Sequence, residues 1–359
     1  MTIYILNFLT LPLYGFIFNR RTLCFIASLQ MFLILAFRAD TIGVDLPTYQ
    51  TGFEYISGLS FEDMAVTLNF FHFADLPYMW AFESGWVVLN WLVAAFGLGF
   101  HGLLVVCAAI NMAVCGWFIS RYSRIPWLSF ALISTLNIYS FMFGILRQSL
   151  ALSFVLLMTA AFDREKYKTA FFCFLLAFTI HRASLISLAL LFLLWIHSQS
   201  KNKFVFAFAA WVPFVVLSGF IYNTLVTSVM ILLNNRYEDL NHELQANNLL
   251  LLLAGIAIGI ILFYDFGSRC TKMDSLSLWA VLAALYWETF GLFNDVLARS
   301  VAFYLFFVSL AIPLVLANYK HRGIAQIGKL AVYILLLAFL VYQLSLDTSI
   351  VPYLSVLDE

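Results

Sequence analysis

The chain has 359 residues, 64% hydrophobic and 11% charged, with 19 basic and 19 acidic side chains and no formal net charge. Soluble domains carry about 25% charge, so a water-facing surface over most of this chain is excluded and lipid must solvate it, as the mean hydropathy of +0.95 also requires. The zero net charge says nothing about partners.

In chain order, apolar runs of helical length predict about twelve spans: 3–18, 22–37, 102–120, 126–143, 146–162, 168–181, 184–197, 203–222, 249–265, 274–290, 299–317 and 329–346. A helix satisfies its backbone polar groups internally, as lipid demands. A β-barrel would instead alternate over segments of about ten residues, so the expected class is all-α and polytopic. Several runs fall short of the ~20 residues a bilayer requires, with tight hairpins near 143–147 and 180–184. Run 3–18 lacks a basic leader and a small-residue cleavage site, and reads as a retained span rather than a signal peptide. Segment 84–100 is apolar but contains Asn90 and ends in Phe96-Gly97-Leu98-Gly99, so it either crosses the bilayer or lies against it. Residues 1–359 read as one membrane domain with two outer loops, 38–83 and 223–248, that carry short helices. Cys24, Cys107, Cys115, Cys173 and Cys270 form no CxxC, and read as small core residues rather than disulfides or metal ligands.

Basic residues set the orientation. If 84–100 does not cross and the Asn19-Arg20-Arg21 turn is cytoplasmic, fourteen bases lie inside and five outside: Arg38, Arg147, Arg182, Arg236 and Arg299. If it crosses, Arg20 and Arg21 move outside and Arg38 inside, giving thirteen against six. From residue 102 onward the two arrangements agree. In the first, all seven lysines are inside and every outer base is arginine, the side chain that grips phosphate or carboxylate through two parallel bonds. The plainer reading is that lysines mark cytoplasmic loops and a few arginines pair with nearby acids.

Five outer stretches carry the polar chemistry. In Arg38-Ala-Asp40-Thr-Ile-Gly43-Val-Asp45-Leu-Pro47-Thr-Tyr49, an arginine leaves a span into a turn, and Asp45 and Tyr49 share a helical spacing. Arg38 there either holds an anionic headgroup, oriented by Asp40 or Asp45, or snorkels beside a capped turn. In Arg147-Gln148-Ser149-Leu150-Ala151, just after Gly144, the arginine needs a ligand or an interhelical partner, and Ser149, Ala151 and Ser153 permit close helix packing. In His181-Arg182-Ala183-Ser184 a hairpin presents histidine, the side chain suited to proton transfer near neutral pH; a satisfied structural histidine is the alternative. Asp295 precedes Arg299 by four, which suits a structural ion pair and equally an oriented phosphate-binding arginine. Arg236-Tyr237-Glu238-Asp239, with His242 beyond, reads as a solvated amphipathic loop helix that could cover a site. There is no Walker loop, dinucleotide fingerprint, HExxH or Asp-x-Asp pair, so a lipid-linked donor fits better than a nucleotide-linked one.

Taken together, Arg38-x4-Gly43-x-Asp45-x3-Tyr49, Glu83-x-Gly85-x4-Leu89-Asn90, Ile145-Leu-Arg147-Gln148-x2-Ala151, Ala177-Phe-x2-His181-x-Ala183-Ser184-Leu-Ile and Arg299-x4-Tyr304-Leu-Phe306 with Pro313 resemble the EpsG/Wzy family of bacterial polysaccharide polymerases. They follow that family's order from 38 to about 313. Two departures stand out: Arg182 follows the histidine, and Ser84 replaces a frequent proline. The resemblance implies a glycosyltransferase C-type membrane enzyme of the bacterial inner membrane, with the 38–83 loop outside. It would join undecaprenyl-diphosphate-linked oligosaccharides into O-antigen, capsule or exopolysaccharide. A flippase or transporter of the same lipid-linked glycan, and a glycan ligase using the same donor, are the alternatives. His181, Arg147 and Arg299 are the expected catalytic residues, and Arg38, Asp45, Tyr49, Gln148, Arg182, Asp295 and Arg236 the expected substrate contacts. No metal or other cofactor and no nucleic acid is expected. The expected partners are the lipid bilayer, the lipid-linked oligosaccharide, and a chain-length regulator and flippase of the same pathway.

Overall fold

The computed structural model describes residues 1–68, 82–197, 200–222, 224, 248–267 and 270–357. Among these the regular structure is helical, apart from isolated bridges such as Arg38 with Ser355. The residues divide into two compact units, Met1–Leu185 with Leu330–Glu359, and Ile186–Lys329.

The first unit contains α1 (Thr2–Ile17), α2 (Arg20–Ala36), α3 (Leu46–Ser57), α4 (Phe61–Thr67), α5 (Ser84–Ala95), α6 (Phe100–Tyr122), α7 (Pro126–Thr135), α8 (Ile138–Gly144), α9 (Leu146–Asp163) and α10 (Tyr167–Ile180). Asn19 starts α2 by accepting the Arg21 and Thr22 N–H groups on its side-chain oxygen, which satisfies donors a helix start leaves open. Trp86, Phe118, Phe130 and Phe143 are fully buried in this unit.

In the second unit Phe204, Phe303, Phe306 and Phe307 are fully buried. Thr271 and Asp274 form a reciprocal capping box at the start of helix Lys272–Phe290. The Trp287 indole N–H reaches Ser300 Oγ at 2.7 Å, so the short helix Asp295–Ser300 is held against Lys272–Phe290.

Among the described residues four helices are long and apolar enough to cross a membrane: α6, α9, Lys201–Ile221 and Arg322–Leu346. α7 and α8, bent by 53° at their break, make a fifth if taken as one span. The other apolar helices, among them α1, α5, α10, Asn248–Phe263 and Ala302–Asn318, have 10–17 residues. The difference from twelve full spans has local causes. Asn137 takes a left-handed φ of 60°, so 126–143 cannot run straight, and 184–197 starts in the 3₁₀ helix Arg182–Ser187.

The helix ends resolve the reading of 84–100. α5 has 12 residues, about 18 Å of helix against a hydrocarbon core of ~30 Å. Asp40 pairs with His101 at the start of α6 at 2.6 Å. Arg20 donates to the Ser120 and Ser123 carbonyls at the end of α6. α2 therefore runs from the Arg121 end of α6 to its His101 end, which is the arrangement in which α5 does not cross.

Candidate functional site

Arg147 stands in the first turn of α9, immediately after the break at Gly144 and Ile145. Asn111 of α6 holds α9 in register: its amide donates to Ser149 Oγ at 3.1 Å, and its oxygen accepts from Ser153 Oγ at 2.8 Å. All three are buried, so this bridge fixes the backbone that carries Arg147. Glu83 occupies the N-cap position of α5, where a helix start favours negative charge. Gly85, two residues on, lets α5 close against the end of α10. A Cβ there would lie 2.6 Å from Thr179 Oγ1 and 2.8 Å from the Thr179 carbonyl oxygen. His181 follows as the extended C-cap of α10.

These elements converge on one carboxylate. Glu83 Oε2 accepts from Arg147 Nη1 at 2.7 Å. Glu83 Oε1 lies 3.2 Å from His181 Nδ1 and accepts the Arg182 backbone N–H at 3.1 Å. Arg147 Nε donates to the Tyr49 hydroxyl at 3.4 Å, and the guanidinium lies over the Phe82 and Tyr49 rings at 5.0 and 5.7 Å, within cation–π range. The Glu83 side chain is 5% exposed, whereas those of Arg147 and His181 are each 22% exposed. The acid thus sits at the floor, with the arginine and histidine above it. Burial would raise the Glu83 pKa, but the Arg147 charge and the bonds from His181 and the Arg182 N–H win and hold it at about 2. Among the described residues the paired charges of the cluster are the Arg147 guanidinium and the Glu83 carboxylate, with the His181 ring beside them.

Arg38 lies inside this unit and not at its surface, fully buried. Its Nη1 donates to the Leu35 carbonyl at 3.0 Å, and its guanidinium stands 5.2 Å from the Phe143 ring centroid. Nε and Nη2 have no hydrogen-bond partner among the described residues. Asp40 pairs with His101. The C-terminal segment braces this turn, with Ala39 N–H on Leu354 O and Val356 N–H on Phe37 O, both at 2.9 Å. Gly43 adopts φ +139°, and a Cβ there would lie 2.3 Å from the Phe143 carbonyl oxygen, so the turn beds directly on the end of α8.

The EpsG family model matches residues 21–355. The chain belongs to the EpsG family. No curated protein and no solved structure matches it.

Of the residues expected from the EpsG resemblance, the fold joins Tyr49, Arg147, His181 and the Arg182 backbone in one cluster. Gln148 is buried beside Arg147 in sequence, and Asp45 is half-buried at the N-cap of α3. Arg299 belongs to the second unit and is exposed in helix Asp295–Ser300. Arg236 and the Asp295 side chain lie outside the described residues. Glu83 was not among the expected site residues, although it opens one of the EpsG-like stretches; a lone acid before an apolar run reads as a helix cap. Among the described residues no three His, Cys, Asp or Glu side chains converge to hold a metal ion.

Proposed function

We propose that this EpsG protein is a polysaccharide polymerase that joins undecaprenyl-diphosphate-linked oligosaccharide repeat units at the outer face of the bacterial inner membrane. The observation that carries the reading is the half-open cluster of Arg147 and His181 over Glu83, at the end of a helix long enough to span a bilayer. Family membership supports the same class of reaction. Both orientations put Arg147 and His181 outside, and the non-crossing one puts Glu83 there with them.

In the reaction, a hydroxyl oxygen of the acceptor repeat unit bonds to the anomeric carbon of the donor glycan. The bond from that carbon to the diphosphate oxygen breaks, and the lipid diphosphate leaves with the electron pair. His181 takes the hydroxyl proton, a contribution of roughly 10²–10⁴ in rate for a placed general base. Arg147 and Arg299 meet the charge growing on the diphosphate; a fixed donor of this kind contributes ~3–4 kcal/mol. Arg38, Asp45, Tyr49, Gln148, Arg182, Asp295 and Arg236 remain candidate substrate contacts. A bundle of the glycosyltransferase C type, with more spans than the four or five long ones, belongs to the same proposal, as do a chain-length regulator and a flippase as partners.

The test is deletion of the gene and complementation with wild type, Arg147→Ala, Arg299→Ala or His181→Ala at matched membrane levels, with surface polysaccharide read as a ladder on a gel. Long chains from wild type and single repeat units from the null and the variants support polymerisation. A null with no surface glycan favours the flippase or ligase reading instead, and normal ladders from the variants reject these residues.

A further inference from the structure

We propose that Glu83 is the positioning residue of this site: its carboxylate keeps the His181 proton on Nδ1 and leaves Nε2 outward as the base. The proposal rests on the glycosyl-transfer reading, because the role it serves is that of His181.

An ionised carboxylate only accepts hydrogen bonds. With Glu83 Oε1 3.2 Å from His181 Nδ1, the shared proton belongs to the ring on that side, and the Nε2 of a neutral imidazole then carries the lone pair. The carboxylate is itself anchored at both oxygens, by Arg147 Nη1 on Oε2 and the Arg182 N–H on Oε1. Turning it away would break two further bonds in a buried place. Arg147 of α9 shares the carboxylate with the ring and also donates to the Tyr49 hydroxyl of α3. The Glu83 anion offsets the charge that His181 gains when it takes a proton from the acceptor. In a carboxylate–histidine pair of this kind, neutralising the acid costs up to ~10⁴ in rate through the wrong tautomer.

Two measurements test this. The first needs no substrate: the protein with ¹⁵N-labelled histidine in nanodiscs, where the His181 signals among the six histidines are those missing from His181→Ala. A ring protonated on Nδ1 and bare on Nε2 is expected; one protonated on Nε2 overturns the proposal. The second follows polymer formation against pH. Glu83→Gln is expected to lose roughly 10²–10⁴ in rate and to move the acid limb to lower pH, since the imidazolium loses its anion. Glu83→Asp, which keeps the charge, restores the limb. In a His181→Ala background Glu83→Gln costs little more, as for residues acting as one unit. Equal losses in both backgrounds with an unmoved acid limb make Glu83 structural and overturn the proposal. An Nδ1-protonated ring together with polymerisation indifferent to His181→Ala supports the Glu83 geometry and overturns the role given to His181 in the parent reading.

Discussion

Glu83 keeps a negative charge where burial alone would remove it, and the Arg147 charge is the main reason. Removing one partner of a buried pair leaves the other uncompensated, a loss of about 3–5 kcal/mol. Arg147→Ala should therefore lower the thermal midpoint in detergent clearly, and Arg147→Lys less, since lysine keeps the charge but not the fork. The same pair sets an acid dependence. The Glu83 pKa is depressed to about 2 from an ordinary 4.5, so its stabilisation is complete above the higher value and is lost as pH falls toward the lower one. Melting curves across that window should show a fall in wild type that Glu83→Gln lacks; from pH 5 to 8 Glu83 should contribute no slope. Arg147 and His181 were legible in the sequence because a base beside an apolar run needs a reason. Glu83 was not, because its partners lie 64 and 98 residues away, and only the fold shows that it has three.

At the scale of elements, two glycines set how closely backbones meet. Gly85 lets α5 touch the end of α10, and Gly43 lets the turn after Arg38 rest on α8. A side chain at 85 meets the Thr179 backbone carbonyl as well as its hydroxyl, so trimming Thr179 gives no relief. Gly85→Val should move Glu83 away from His181 and abolish polymer formation at normal membrane levels, checked by the glycan ladder beside an immunoblot; a normal ladder would show that the contact is dispensable. Helix identity was readable from apolar runs, but helix length was not. The left-handed Asn137 and the 3₁₀ turn at Arg182–Ser187 divide runs that look continuous by composition. Arg38 is the other lesson, because an arginine leaving a span reads as a surface residue, and the brace from Leu354 and Val356 that encloses its turn comes from the far end of the chain.

For the molecule as a whole, the ion pairs Asp40–His101 and Glu83–Arg147 place both ends of the 38–83 segment with the ends of α6 and α9 that basic residues assign to the outside. Reporter fusions check this: alkaline phosphatase joined after Gly58 should be active and a fluorescent fusion there dark, with the reverse after Lys166. The most direct test of the central claim uses the purified protein in nanodiscs with the polyprenyl-linked repeat unit extracted from its own deletion strain. A ladder of joined units, with one polyprenyl diphosphate released per new linkage and none formed by Arg147→Ala or His181→Ala, is the predicted result. Repeat units that stay single with folded wild-type protein, or that are joined equally well by both variants, would contradict it.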